Sequence, residues 1–451
     1  MHETIRSRLS QTSPTTSRGT AAIRQSRPKG RNLRWLIIAA ITLLTMTNYL
    51  DRGNISVAAP LIMRDLHLSN TMMGVILSAF VWPYAVMNLP VGLAIDRFGP
   101  KAILSIAAGL WSIVAVLSGF ARSVEVFIGL RVALGVSEAP LFPAAVKATN
   151  AWFPEHEKAA ATSVYIASVQ FGLAIAPPVS TLLMSAYGWP AMFIITGVIG
   201  FVGLLGWIAV YRAPDKHPWL HRDEYQYIRS GQTLSDESGI EEAPAVSLGD
   251  WTSLFRYPST WIMIVGAFCL QYVFWFYVSW MPTYLQKAQG ITISRAGILA
   301  AVPFISGGIA VLIGGRVSDK LILRGVDPFK ARRSMVAIAA ILTAAAMLGT
   351  ALSESATLAI TFLTAGMFTY GLASGNFWTL PAEASETSRF VASVSSIQNF
   401  GGFLGGAFAP VVTGFVVDRF GGFVPALIVA AVLALISALM YGLVLRKRLP
   451  V

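Results

Sequence analysis

The sequence predicts an all-α membrane protein, with twelve transmembrane helices in two six-helix bundles and both termini cytoplasmic. Three observations predict it. Only 12% of the 451 residues are charged and 55% are hydrophobic, whereas a soluble globular chain carries about a quarter charged residues. Apolar runs of roughly 18–25 residues, each long enough to cross a hydrocarbon core of about 30 Å, recur along most of the chain. One long polar gap, 212–257, separates six such runs from six more.

In chain order the runs lie near 35–57, 71–94, 101–121, 124–149, 158–183 and 188–211, then 258–286, 295–318, 332–352, 356–382, 389–416 and 421–445. The basic residues orient them. With the amino terminus inside, the cytoplasmic segments hold 27 Lys and Arg, the opposite side holds Arg64, Arg122, Lys287, Arg295 and Arg419, and Arg52 and Arg131 lie within runs. Cytoplasmic loops carry such an excess. The predicted units are a tail over 1–34, a first bundle over 35–211, a cytoplasmic linker over 212–257, and a second bundle with a short tail over 258–451. The tail carries eight Lys and Arg against Glu3 alone. It lacks the apolar core of a secretory signal and reads as disordered and cytosolic, an organelle transit peptide being the compositional alternative. The linker, containing DKHPWLHRDEYQYIRSGQTLSDESGIEEAP, also reads as disordered.

Composition narrows the function. The net charge of +12 does not point to nucleic acid, because the basic residues fall in short gaps between apolar runs rather than on a folded basic surface. Cys269 is the single cysteine, which excludes an internal disulfide, and the five histidines show no metal-binding spacing. No metal, cofactor or enzyme activity is expected. A nucleophile with a base in reach, which an enzyme needs, is missing from the apolar runs.

The runs do contain charges, and a charge at the centre of a membrane helix costs several kcal/mol, about 2.5–3.5 on insertion scales. TNYLDRGNISVAAP, Thr47 to Pro60, places Asp51 and Arg52 in the first run. GLRVALGVSEAPLFPA, Gly129 to Ala144, places Arg131 and Glu138 in the fourth. Seven residues turn a helix by about 700°, so Arg131 and Glu138 share a face about 10 Å apart along the axis. Intramembrane charges mark substrate or proton paths, and a guanidinium fork suits a carboxylate. Arg52 and Arg131 are therefore candidates for anion capture, with Glu138 a candidate proton carrier. The competing reading is a buried ion pair that fixes packing, such as Arg131 held by Glu138 or Asp51. Asp51 projects about 100° away from Arg52 and stands between a second protonation site and a helix–helix tether.

GLAIDRFGPK, Gly92 to Lys101, ends the second run, and GGRVSDK, Gly314 to Lys320, ends the eighth. Each sets a glycine four residues before an aspartate at a tight turn. A third copy, GFVVDRFG from Gly414, falls at the opposite face, so the pattern is partly generic helix-end chemistry. With the six-plus-six runs and central linker, these turns resemble the major facilitator superfamily. The resemblance implies two bundles rocking about a midplane site, with Gly92, Asp96, Arg97, Gly99 and Asp319 in the turn and gating motifs.

NYLDRGNISVAAP, RVALGVSEAPLFPAAVKATNAWFP (Arg131 to Pro154) and the stretch after Phe377 more closely resemble the anion:cation symporter family. That resemblance implies that Arg52 and Arg131 bind a substrate carboxylate, and that Asp51 and Glu138 take coupling protons. It also implies substrate contacts from Tyr49, Tyr84, Gln170, Trp378 and Asn399. NFWTLPAEASE, Asn376 to Glu386, keeps the family's polar pattern only in part. Outside the resemblance, Tyr49, Tyr84 and Trp378 could be interface anchors, and Gln170 and Asn399 could bond across helices. Gly401, Gly402, Gly405 and Gly406 read as close helix contacts rather than a phosphate loop.

The function expected is proton-coupled import of a small organic anion, a sugar acid such as an aldonate, aldarate or hexuronate, by a monomer in the bacterial inner membrane. Its expected partners are that anion, protons and the lipid bilayer. The alternatives are an organic-anion or organic-phosphate antiporter and a receptor that no longer transports. By resemblance the phosphate antiporters carry an arginine on the seventh run, and IMIVGAFCLQYVFWFYVSWMP, Ile262 to Pro282, has no charge. A drug exporter would want an apolar cavity, which two buried arginines suit badly.

Overall fold

A computed structural model describes residues 32–236, 248–385, 390–446 and 448–449. Of the disordered tail expected over 1–34, residues 1–31 lie outside the described residues, as does the centre of the linker, 237–247. The fold is all helical. Eleven helical stretches among the described residues are long and apolar enough to cross a membrane.

In the first half the helices are α1 (Leu33–Asp65), α2 (Asn70–Ser78), α3 (Val81–Ser118), α4 (Val124–Glu138), α5 (Leu141–Trp152) and α6 (Glu155–Val210). Their breaks follow from local sequence. Pro83 has no N–H to give the Ala79 carbonyl, which separates α2 from α3. Pro140 and Pro143 do the same to the carbonyls of Val136 and Ala139, which separates α4 from α5. Two helices fold back on themselves. The membrane-length stretch Ala160–Val210 has 51 residues, about 76 Å at 1.5 Å per residue, more than twice a bilayer core. It turns at Gly188, where φ is 81° and ψ 164°. Gly99 turns α3 in the same way, with φ 81° and ψ 158°. Only glycine adopts this backbone at no steric cost, and Pro100 further holds Gly99 out of the helical region.

The linker brings α7 (Arg222–Asp236) and α8 (Leu248–Ser253). The second half comprises α9 (Pro258–Lys287), α10 (Ile293–Leu323), α11 (Pro328–Ala351), α12 (Ala356–Ala384), α13 (Val391–Phe420) and α14 (Phe423–Leu439). Within the halves α1 packs on α6, α9 on α13, and α12 on both α10 and α11; between them α2 meets α13, α6 meets α10 and α1 meets α9. The glycines of α13 act as close contacts. A Cβ on Gly401 or Gly405 would strike the α9 backbone at Ile264 or Phe268.

The linker departs from the disorder expected of it. In α7, Glu224, Tyr227 and Ile228 are buried, the spacing of one helix face. Glu224 reaches the start of α1, where its carboxylate accepts the backbone N–H of Leu33 at 3.1 Å and of Arg34 at 3.2 Å, and pairs with the Arg34 guanidinium at 2.9 Å. Arg34 pairs on its other side with Glu157 at 2.9 Å, and the Tyr227 hydroxyl donates to Glu157 at 3.0 Å. Arg34 thus belongs to the bundle, not the tail. A carboxylate is favoured at a helix amino terminus, where N–H groups have no intrahelical acceptor.

Removing one partner of a buried pair costs about 3–5 kcal/mol. Glu224→Ala is therefore expected to lower the thermal unfolding midpoint in detergent and to open Arg222 and Arg229 to trypsin. An unchanged midpoint and an unchanged digest would refute this account of α7.

Candidate functional site between the two halves

The four intramembrane charges converge. Asp51 and Arg52 stand on α1, Arg131 and Glu138 on α4, and all four are buried. Glu138 is the last residue of α4, immediately before the proline break, so the kink in the fourth run fixes where its carboxylate sits. The pairing differs from the one weighed in the sequence. Glu138 Oε2 accepts from Arg52 Nε at 2.7 Å, across two helices. Among the described residues no carboxylate lies within ion-pair distance of Arg131, because the seven-residue offset along α4 keeps Glu138 a turn too far.

Three rings enclose the Arg52 guanidinium. Tyr49, Phe80 and Tyr84 have centroids 4.6, 4.9 and 4.7 Å from its central carbon. Cation–π attraction of this kind reaches about 2 kcal/mol where the cation is desolvated. Tyr49 and Tyr84, expected as substrate contacts, thus first serve to hold the arginine.

The cluster's remaining polar atoms are buried and have no protein partner of good geometry. They are Arg52 Nη2, Arg131 Nε, Glu138 Oε1, both oxygens of Asp51, and both amide atoms of Asn48. Asp51, Arg131 and Glu138 lie within mutual electrostatic reach. Buried charges are paired or coordinated, so this cluster of seven such atoms is the candidate binding site.

The cluster opens onto a cavity of about 20 Å³, room for roughly one water molecule. Arg52, Ile55, Leu77, Phe80 and Arg131 line it from the first half, and Trp275, Val278 and Ser279 of α9 line it from the second. Both arginines therefore face the seam between the halves.

Two of the other expected contacts sit around this seam. Gln170 lies half-buried against Gly307 and Gly308 of α10, across the halves. Asn399 lies one turn before Phe403, whose ring meets Tyr84 at 5.5 Å. Trp378 is 48% exposed and rests edge-on against Phe377, so no contact among the described residues joins it to the arginines. In the turns, Asp96 pairs with Lys147 at 2.6 Å, and Asp319 lies 3.7 Å from Arg332, which also bonds Glu383 at 3.2 Å. Arg97 lies over its neighbour Phe98 at 5.3 Å, and an added Cβ on Gly92 would meet nothing.

Several site residues escaped the sequence reading. Asn48 sits four residues before Arg52, a helical neighbour that spacing could have flagged. Gln271 of α9 accepts from the Tyr370 hydroxyl of α12 at 2.5 Å, and Phe274 stacks on Tyr370. Gln271, Trp275 and Ser279 recur every fourth residue along an uncharged helix, a weak signal beside the charged ones.

The sequence pattern of the Major Facilitator Superfamily matches residues 41–410. A probable L-galactonate transporter of Escherichia coli K12 is 34% identical, over 89% of this chain and 86% of its own. A D-galactonate transporter of Escherichia coli O6:H1 is 32% identical, over 90% of this chain and 94% of its own. In fold the chain resembles the crystal structure of a bacterial homologue of the human lysosomal transporter Spinster, inward-facing and unoccupied. That likeness has a TM-score of 0.76 at 20% identity, over 93% of this chain and 98% of that one. The chain belongs to the Major Facilitator Superfamily, as a multi-pass transporter of the bacterial inner membrane and not an enzyme.

Proposed function

We propose that the protein imports a small organic anion of the sugar-acid class by proton symport, with alternating access between two six-helix bundles. The observation that carries the reading is the pair of buried arginines at one seam, one held by a carboxylate and the other with none. In this reading the chain makes twelve crossings, since Gly188 divides the longest helical stretch in two, and both termini are cytoplasmic. The end bearing Arg64, Arg122, Lys287, Arg295 and Arg419 then faces outward, in accord with the charge asymmetry.

Arg131 is the natural first contact for a substrate carboxylate, because no protein anion neutralises it at ion-pair distance. Arg52 comes second. A substrate anion approaching it competes with Glu138, and a carboxylate that loses its arginine in a low-dielectric site is stabilised by taking a proton. Binding of the anion and protonation of Glu138 thus favour one another, which is the linkage a symporter needs. Asp51, whose oxygens are buried without a partner of good geometry, can take a second proton in this reading. One proton per monoanion makes transport electroneutral, and a second adds about 2.3 kcal/mol per 100 mV of membrane potential. Gln170 and Asn399 are the proposed hydroxyl contacts. Sugar acids fit better than apolar anions because amide and phenol groups surround the arginines. Galactonate carriage by the two relatives supports the class.

Two experiments test this. In proteoliposomes, uptake of galactonate or a related labelled sugar acid is expected to accelerate when an inward proton gradient is imposed; indifference of every acid to the gradient would refute symport. In the same system Arg131→Ala is expected to weaken anion binding tenfold or more, since a hydrogen bond to a charged group contributes about 1.5–3 kcal/mol. Glu138→Gln, which still accepts from Arg52, is expected to keep binding and exchange but lose uphill accumulation. Equal loss in both variants would contradict the division of roles.

A further inference from the structure

We propose that Asp418 is a latch that holds the two halves together at the outer end, and that each transport cycle must open it. The inference rests on the alternating-access reading above. Asp418 stands near the end of α13, in the third copy of the glycine–aspartate turn pattern. Its Oδ1 accepts from the Asn70 backbone N–H at 3.1 Å and from the Asn70 amide at 2.7 Å. Its Oδ2 accepts from the Thr71 N–H at 2.7 Å and from the Thr71 hydroxyl at 2.6 Å. All four donors belong to the first two residues of α2, in the opposite half.

The contact suits this role on three grounds. The first N–H groups of a helix have no intrahelical acceptor, and the side chain of Ser69, the cap of α2, accepts from Met72 N–H, not from Asn70 or Thr71. Asp418 completes the cap from across the seam, with its charge at the positive end of the helix. Lys287 of α9 joins the same point, donating to Asn70 Oδ1 at 3.3 Å. The backbones also approach closely enough for a short side chain to reach. Gly414, one turn before Asp418, lies against Asn70 and Thr71, and Gly74 lies against Pro410 and Val411, so a Cβ at either would collide. Third, the other two copies of the turn pattern bind within their own half, Asp96 to Lys147 and Asp319 to Arg332. Only the Asp418 copy spans the seam, so it alone breaks when the halves part there. Because the carboxylate is exposed, water can replace its donors as the halves separate.

The test uses full-length protein in right-side-out vesicles, with Cys269→Ser to remove the native thiol and Thr283→Cys as a reporter. Thr283 is buried on α9 beside Ser56 of α1 at this end. Its reaction with a membrane-impermeant maleimide added outside, with no solute present, reads opening of this end alone. That readout is independent of which anion is carried and of proton coupling. Asp418→Ala is expected to speed labelling severalfold, and Asp418→Glu to restore slow labelling in part. Thr71→Ala is expected to act in the same direction, and the Asp418→Ala, Thr71→Ala double variant to be no faster than Asp418→Ala alone. Unchanged labelling in Asp418→Ala would overturn the proposal. So would fully multiplicative rates in the double variant, the mark of two independent disturbances.

Discussion

The arrangement of the site follows from one constraint, the cost of holding charge away from water. A buried guanidinium must be paired, stacked on rings or supplied with a ligand. Arg52 receives the first two, from Glu138 at 2.7 Å and from three aromatic faces within 4.9 Å. Among the described residues Arg131 receives neither. The four charges sum to zero, so the cluster as a whole is neutral, yet the pairing inside it is uneven. That unevenness favours the proposed binding role over a structural ion pair. A packing device would bond each arginine to its own acid and leave few atoms unsatisfied.

Backbone breaks position the cluster. The prolines after Glu138 end α4 at the residue whose carboxylate has to cross to α1, and the break at Ala79 and Phe80 brings the Phe80 ring over Arg52. Both breaks remove helix hydrogen bonds inside an apolar environment, a loss that neighbouring protein must compensate. Each lies next to a residue that touches Arg52. The second half contributes no charge to the cavity but supplies Trp275, Val278 and Ser279. The charged lining thus comes from one half and apolar and hydroxyl lining from the other, an arrangement that, in the proposed cycle, would let movement of the halves change access without rebuilding the charged cluster.

Much of the fold was legible because hydrophobicity at membrane length is a strong, local signal. The runs fall within helices of the fold, eleven stretches of which are of membrane length among the described residues, and the tight turns at Gly99 and Gly188 sit where the runs change over. The charged site residues were legible for the same reason, since a lone charge stands out against an apolar run. Their pairing was not. Helical geometry relates Arg131 to Glu138 along one helix, but the Arg52–Glu138 bond depends on how α1 and α4 pack, which no spacing within either encodes. The folded start of the linker was hidden too. Its polar composition matches a disordered segment, and α7 is held by Glu224 bonding to the end of a helix 190 residues away. Uncharged lining residues such as Trp275 give no signal that tells a cavity wall from ordinary core.

The same constraint also explains why the two kinds of contact between distant residues sit at different depths. In the membrane interior an ion pair is costly to separate, because each charge loses its partner with no water to replace it. An Arg52–Glu138 pair there can be exchanged only for another neutralising partner, such as a substrate anion or a proton, and this makes it suited to coupling. At the membrane surface a carboxylate released from its donors is rehydrated at once, and the net loss is small. Asp418 on Asn70 and Thr71 therefore suits a contact made and broken in every cycle. Exchanging the two would fail, since a surface pair would not register a proton and a buried latch would not open. In the proposed cycle the work thus divides between a deep pair that answers to anion and proton and a shallow contact that keeps an end closed.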